Sequence, residues 1–313
     1  MKTVLSTHRA CLAHETPRGH PERVERLQAV LKGLESEEFQ YLTRIEAPRA
    51  SREALIAAHD PELVDAILGR FTELAHASGH FYLDPDTAMS AGSAEAALRA
   101  AGAVIDAVNR VMRGECNNAF CAVRPPGHHA ERDRAMGFCL FNNVAIGALH
   151  ARKVHGLKRV AVVDFDVHHG NGTQSIFFDE IELFYASTHQ SPLYPGTGMA
   201  SEKGVADNIL NVPLPPHAGS KEFRAAFSDT VLPALESFAP QFVFISAGFD
   251  AHRGDPLGEM ELTEDDFGWA TSEICAVAGR CCQGRVVSAL EGGYDLDALA
   301  RSAAAHVRAL MEA

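Results

Sequence analysis

Short apolar, β-branched runs alternate along this chain with longer stretches whose apolar residues recur every three or four positions. The short runs are Thr3–Ser6, Ala119–Val123, Val160–Asp164, Glu182–Ser187, Phe242–Ser246 and Arg285–Leu290, and each reads as a strand. The longer stretches, His20–Leu34, Ala91–Met112, Phe141–His155, Lys221–Phe238, Glu264–Cys281 and Leu296–Met311, read as amphipathic helices. Thr263 with Asp266 forms a capping box that opens the fifth of them. Strands that alternate with helices predict βαβ units and a mostly parallel sheet covered on both faces, an α/β fold. No repeat, low-complexity tract or Ser/Gly-rich linker interrupts the pattern, so a single domain over residues 1–313 is expected.

Composition narrows the picture only a little. A hydrophobic content of 46% and a charged content of 22% are ordinary for a globular chain with a substantial core. No apolar stretch approaches the roughly 20 residues that cross a bilayer, and the N-terminus reads as a strand rather than a signal peptide. A cytoplasmic protein without a membrane partner is expected. The net charge of −13 argues against sequence-independent nucleic-acid binding, which needs Lys and Arg to meet phosphates. That charge is compatible with a cationic substrate, although solubility alone explains it. The seven cysteines form no CxxC pair and read as reduced thiols, so cysteine is not where a metal would bind.

The chemistry lies where strands hand over to loops. Five segments follow strand candidates: Arg124-Pro-Pro-Gly-His-His-Ala130, Asp164-Phe-Asp-Val-His-His-Gly-Asn-Gly172, Tyr194-Pro-Gly-Thr-Gly198, Ser246-Ala-Gly-Phe-Asp250 and Leu290-Glu-Gly-Gly-Tyr294. Singly each is weak, because a His pair is usually structural, a lone Asp is often a cap and a Gly pair is usually a turn. Together they describe a site at the carboxyl edge of a sheet. Asp164, Asp166 and His168 alternate, so an extended backbone would point all three to one side. Asp166 and His168 supply two metal ligands and Asp250 the third, a donor set suited to Zn²⁺ or Fe²⁺ with coordination positions left open. His128 and His129 are candidates for proton transfer, His129 as general base and His128 in an electrostatic or acid role. Asp164 is placed to orient one imidazole and Asn171 the other. Tyr294 could donate its hydroxyl to a developing oxyanion.

Taken together, RPPGHH, DFDVHHGNGT, YPGTG, SAGFDAHRGDPLG and LEGGYDL resemble the arginase-like, zinc-dependent histone deacetylase family, its bacterial class II-like members in particular. The resemblance runs from His20-Pro-Glu-Arg to Tyr294-Asp-Leu. It implies an arginase/deacetylase fold with a central sheet of about eight strands and hydrolysis of N-acyl-lysine side chains. It further implies zinc at Asp166, His168 and Asp250, tandem histidines His128 and His129, and Tyr294 on the scissile carbonyl. Asn171 stands where class I relatives carry Asp. Gly137, Phe138 and Tyr194 match walls of the acyl-lysine channel. A structural K⁺ is implied at carbonyls of Asp164, Asp166 and His168 with Ser187, and a second monovalent site near Phe177 and Leu183. Arg26 matches an internal-channel arginine, with an exposed ion-pairing arginine as the alternative.

Polyamine deacetylases belong to the same superfamily. Their eukaryotic branch carries Glu where this chain has Leu257, which favours acylated lysine or other apolar N-acyl groups; bacterial polyamine deacetylases use a different recognition loop, so acetylpolyamines and other small N-acyl amines stay as the alternative. No acidic residue stands out at the channel rim near Leu83; Asp84 and Asp86 are close and read as bracing the Asp84-Pro-Asp-Thr turn. Two further readings are a non-catalytic acyl-binding scaffold and an arginase-like dinuclear manganese enzyme. The first conflicts with a complete ligand and histidine set; the second would need extra carboxylate and imidazole ligands, and Tyr294 with the His128–His129 pair fits a mononuclear site better. Oligomerisation is left open, and no targeting signal ties the family name to histones here.

Overall fold

A computed structural model describes residues 2–74 and 79–313. The strands are β1 (Thr3–Thr7), β2 (Thr43–Glu46), β3 (Phe81–Tyr82), β4 (Ala88–Met89), β5 (Asn118–Cys121), β6 (Val160–Asp164), β7 (Leu183–Gln190), β8 (Ile209–Leu214), β9 (Phe242–Ala247) and β10 (Val286–Leu290). Eight of them form one sheet in the order β2-β1-β5-β10-β9-β6-β7-β8, and every pair in it is parallel. β3 and β4 make a separate antiparallel pair. The central strands β6, β9 and β10 are buried along their whole length, as near-continuous Val, Ile and Phe runs require when helices cover both faces. This is the α/β architecture the alternating pattern predicts.

The register explains why chemistry gathers at one edge. Asp164, the last residue of β6, lies opposite Ser187 of β7 and Ser246 of β9. Leu290 pairs with Ala247, and Cys121 with Ala289. The strands therefore end almost level, and the loops after β5, β6, β9 and β10 start at one height around the centre of the sheet.

Two expectations are corrected. β6 stops at Asp164 and the chain bends through Asp166–His168, so the bend, not an extended strand, aims those side chains. The helix expected over Lys221–Phe238 is interrupted. Helices Ser220–Ala226 and Leu232–Phe238 are joined by a wider π turn at Phe227–Val231. Pro233 has no N–H to donate, and the π turn takes up the break. The capping box at Thr263 and Asp266 is present.

One buried imidazole gives the core a measurable acid sensitivity. His306 is packed among Phe120, Phe165 and Phe249, with its ring nitrogens 2.6 Å from Thr271 Oγ1 and 2.8 Å from Ser288 Oγ. Burial lowers its pKa from 6.5 to about 3. Because the folded value lies below the unfolded one, stability carried by the neutral ring is complete above pH 6.5 and is lost as the pH falls towards 3. Against a non-titrating His306→Gln reference, the protein should lose about 2 kcal/mol between about pH 7.5 and about pH 5. Denaturant titrations at both values check this, and a pH-independent difference would refute it.

Candidate active site

The loops after β6 and β9 bring Asp166, His168 and Asp250 together. All three are buried, and one donor atom from each lies within 4.8 Å of the others. His168 Nδ1 stands 3.1 Å from Asp166 Oδ1 and 3.0 Å from Asp250 Oδ2. A single ring N–H does not satisfy two carboxylates, whereas one cation shared by all three does, so the donor set fits a divalent ion. Neighbouring backbone fixes the carboxylates. Gly292 N–H donates to Asp166 Oδ2 at 2.8 Å and Val167 N–H to Asp250 Oδ1 at 2.9 Å.

Glycine is required for that closeness. A Cβ on Gly248 would stand 1.9 Å from Asp166 Oδ2, and one on Gly292 would stand 2.1 Å from Asp250 Oδ2. Gly248→Ala should therefore displace Asp166 and weaken metal retention by roughly tenfold or more, as loss of a ligand's support does. Elemental analysis after dialysis against a weak chelator tests this. Full occupancy in the variant would contradict it.

The loop after β5 carries the histidine pair, and their surroundings differ. His128 Nδ1 lies 3.0 Å from Asp164 Oδ2, which also accepts from the Tyr185 hydroxyl at 3.0 Å. Burial works against a charge on His128, but the Asp166 and Asp164 carboxylates prevail and raise it to about 10. His129 Nδ1 faces Asn171 Oδ1 at 2.8 Å. Burial, then the neighbouring His128 and His168, hold its pKa well below 6.5. The two rings are thus pushed in opposite directions, His128 towards the charged form and His129 towards the neutral one, although they are adjacent in the chain. Glu291 ties this loop to the sheet by accepting from Gly127 N–H at 2.6 Å and His128 N–H at 3.1 Å.

A cavity of about 240 Å³ opens onto these groups. Gly137, Phe138, Tyr194 and Leu257 line it together with His129, His168 and Tyr294, so the expected wall residues are brought together. Leu193 and Asp86 line it as well. Asp84 Oδ1 accepts from Asp86 N–H and Thr87 N–H and so braces the turn, while Asp86 presents to the cavity. Burial and the neighbouring Asp84 raise Asp86 to about 6. The Tyr294 ring sits edge-on to Phe138 at 6.0 Å.

Sequence reading missed the support behind Tyr294. Arg26 is fully buried, which excludes the exposed alternative. Its Nε and NH2 donate to the carbonyls of Gly293 and Glu291 at 2.5 Å each, and its guanidinium lies 4.8 Å over the Tyr294 ring. Glu22 accepts from Arg26 at 2.9 Å and from Arg124 NH2 at 2.6 Å. Arg124 opens the Arg-Pro-Pro segment and Glu22 lies within His20-Pro-Glu-Arg, so both stood in recognisable motifs. Only the fold shows that they meet. Asp164 and Ser187 are register partners, while the Phe177 and Leu183 carbonyls each accept from Asn208 Nδ2 at 2.9 Å.

Comparison with known proteins supplies the family. Residues 20–310 match the histone deacetylase domain. A probable deacetylase of Archaeoglobus fulgidus is 39% identical over 303 residues, covering 95% of this chain and 82% of that protein. A histone deacetylase-like amidohydrolase of Pseudomonas aeruginosa is 40% identical over 281 residues, covering 88% of this chain and 71% of its own. The crystal structure of the HDA15 HD domain superposes with a TM-score of 0.93 at 38% identity, covering 99% of this chain and 88% of that one. With its level strand ends, paired histidines and Asp–His–Asp cluster, the chain belongs to the histone deacetylase family of amide hydrolases.

Proposed function

We propose that this protein is a zinc-dependent deacylase that hydrolyses N-acyl-lysine side chains, with residues 1–313 forming one catalytic domain. The observation that carries the reading is the cavity of about 240 Å³ lined by His129, His168 and Tyr294, with His168 shared by the Asp–His–Asp cluster. Asp166, His168 and Asp250 hold the metal, Zn²⁺ or Fe²⁺, which when bound supplies Lewis acidity towards a carbonyl and water. Asp164, Asp166, His168 and Ser187 would hold the structural K⁺ that the family resemblance implies, and Asp164 and Ser187 are register partners.

The remaining work belongs to side chains. His129, held neutral by its surroundings, takes the proton from the attacking water and later delivers it to the leaving amine. His128, held charged beside Asp164, stabilises negative charge that develops above it. Tyr294 donates its hydroxyl to the acyl oxygen. Phe138 and Tyr194 flank an aliphatic tether and keep water from its sides.

A second reading, deacetylation of acetylpolyamines or other small N-acyl amines, is favoured by Asp86, an acidic residue among those lining the cavity. Leu257, an apolar wall residue, favours lysine instead. A panel of acyl-lysine peptides beside acetylated polyamines tests the choice. Higher kcat/KM for peptides supports the lysine reading, and preference for polyamines with sensitivity to Asp86→Asn overturns it. Absence of turnover on every N-acyl amine would sink both.

A further inference from the structure

His128 meets a carboxylate, but His129 meets an amide, and an amide presents either its oxygen or its nitrogen. The face presented decides which imidazole nitrogen carries the proton. If the oxygen faces His129, Nδ1 is protonated and Nε2 is left with its lone pair. If the nitrogen faces it, Nε2 holds the proton and His129 accepts none there. The base role therefore depends on the rotamer of Asn171.

Glu131 stands at the far end of that amide. Its Oε1 lies 2.6 Å from Asn171 Nδ2, and an ionised carboxylate only accepts. The other neighbours of Nδ2 are Met136 Sδ at 3.3 Å and the His129 carbonyl at 3.5 Å, both acceptors. Three acceptors surround that end of the amide, so Oδ1 is turned to His129 Nδ1 at 2.8 Å. Glu131 is itself fixed. Its N–H donates to the Arg134 carbonyl at 2.8 Å, its carbonyl lies 2.7 Å from His59 Nδ1, and Arg134 NH2 donates to its Oε2 at 3.1 Å.

We propose that Glu131 is a positioning residue that fixes the tautomer of His129 through Asn171. Among the described residues it bonds to none of Asp166, His168 and Asp250, and it is not among the residues lining the cavity. The line Glu131–Asn171–His129 does for the second histidine what Asp164 does directly for the first. An intervening amide orients His129 without placing a carboxylate against it, so the ring is directed yet stays neutral. The kinetic arm of this inference rests on the deacylase reading above, while the structural arm does not.

Nitrogen-15 and carbon-13 histidine NMR on the metal-loaded protein reads the tautomer directly. Wild type should show His129 with Nδ1–H and an unprotonated Nε2. Glu131→Met, which removes the acceptor, should give a mixed or reversed tautomer and lower kcat roughly ten- to a hundredfold with KM little changed. Glu131→Gln keeps an acceptor oxygen and should recover most of the loss. Adding Asn171→Asp to Glu131→Met should restore Nδ1–H, because both aspartate oxygens accept. Glu131→Met with an unaltered Nδ1–H tautomer overturns the inference, whatever its activity. If wild type turns over no N-acyl amine, the NMR result still decides this inference, and only the proposed function falls.

Discussion

Asp250→Ala should reduce deacylation by at least about 10³-fold and should also erase the stabilisation that the protein gains from added Zn²⁺. The size of the first effect follows from the ligand count, because two remaining ligands do not hold a divalent ion in a defined geometry. The second readout separates ligation from catalysis. Metal that binds only the folded state raises the melting temperature by mass action, so wild type should shift on Zn²⁺ addition and the variant should not. The metal-free proteins should behave in the opposite sense. Asp250 is fully buried beside Asp166, and burial and that neighbouring carboxylate both push its pKa up. Removing one of two crowded carboxylates relieves repulsion, so the metal-free variant should be no less stable than metal-free wild type. Thermal scans with and without chelator, beside turnover of an acetyl-lysine substrate, measure all three. A variant that keeps both its turnover and its Zn²⁺-dependent shift would remove Asp250 from the ligand set. Chelation of wild type should likewise abolish activity, with Zn²⁺ or Fe²⁺ restoring it.

The central sheet was legible in the sequence because its strands are buried on both faces and so appear as apolar runs. The edges were not. β2, Thr43–Glu46, alternates between half-buried and exposed residues, and β8, Ile209–Leu214, contains Asn211 and Pro213. Short edge strands of mixed polarity carry little apolar signal. The helix Pro61–Leu74 was also missed, although Pro at its first position is a start signal. The helix Asn171–Phe177 was hidden by Gly170 and Gly172, which read as a turn.

Residues of the candidate site were legible to the extent that each sits just past a strand. Asp166, His168, Asp250, His128, His129 and Tyr294 could be found because a polar cluster after an apolar run has few structural explanations. Their geometry could not. Nothing in the local pattern says that Glu22 lies against Arg124, 102 positions away, or that Glu291 accepts from Gly127, 164 positions away. Buried charge pairs are properties of the fold, and sequence reading registers them only as ordinary polar residues. Asp84 and Asp86 make the point at short range. Two aspartates flanking one proline divide between turn bracing and cavity lining, a division set by backbone conformation.

Tyr294→Phe should lower kcat by roughly 10²-fold or more while leaving KM and metal content nearly unchanged. The substitution removes one oxygen and little else, because what holds the ring does not depend on the hydroxyl. Arg26 lies over its face, Phe138 meets it edge-on, and its backbone N–H donates to Asp255 Oδ2 at 2.6 Å. Among the described residues the hydroxyl has no hydrogen-bond partner, so it is free to meet a ligand in the cavity it lines. It also stays protonated. Burial holds its pKa well above 10, with Arg26 opposing and the Asp250 and Asp166 carboxylates reinforcing. A neutral hydroxyl donor serves an oxyanion better than it serves a ground-state carbonyl, because the hydrogen bond strengthens as negative charge grows. Loss of the donor should therefore appear in kcat rather than in KM. A variant with raised KM and unchanged kcat would instead make Tyr294 a substrate-binding residue. Near-wild-type values of both on the true substrate would remove it from the reaction altogether.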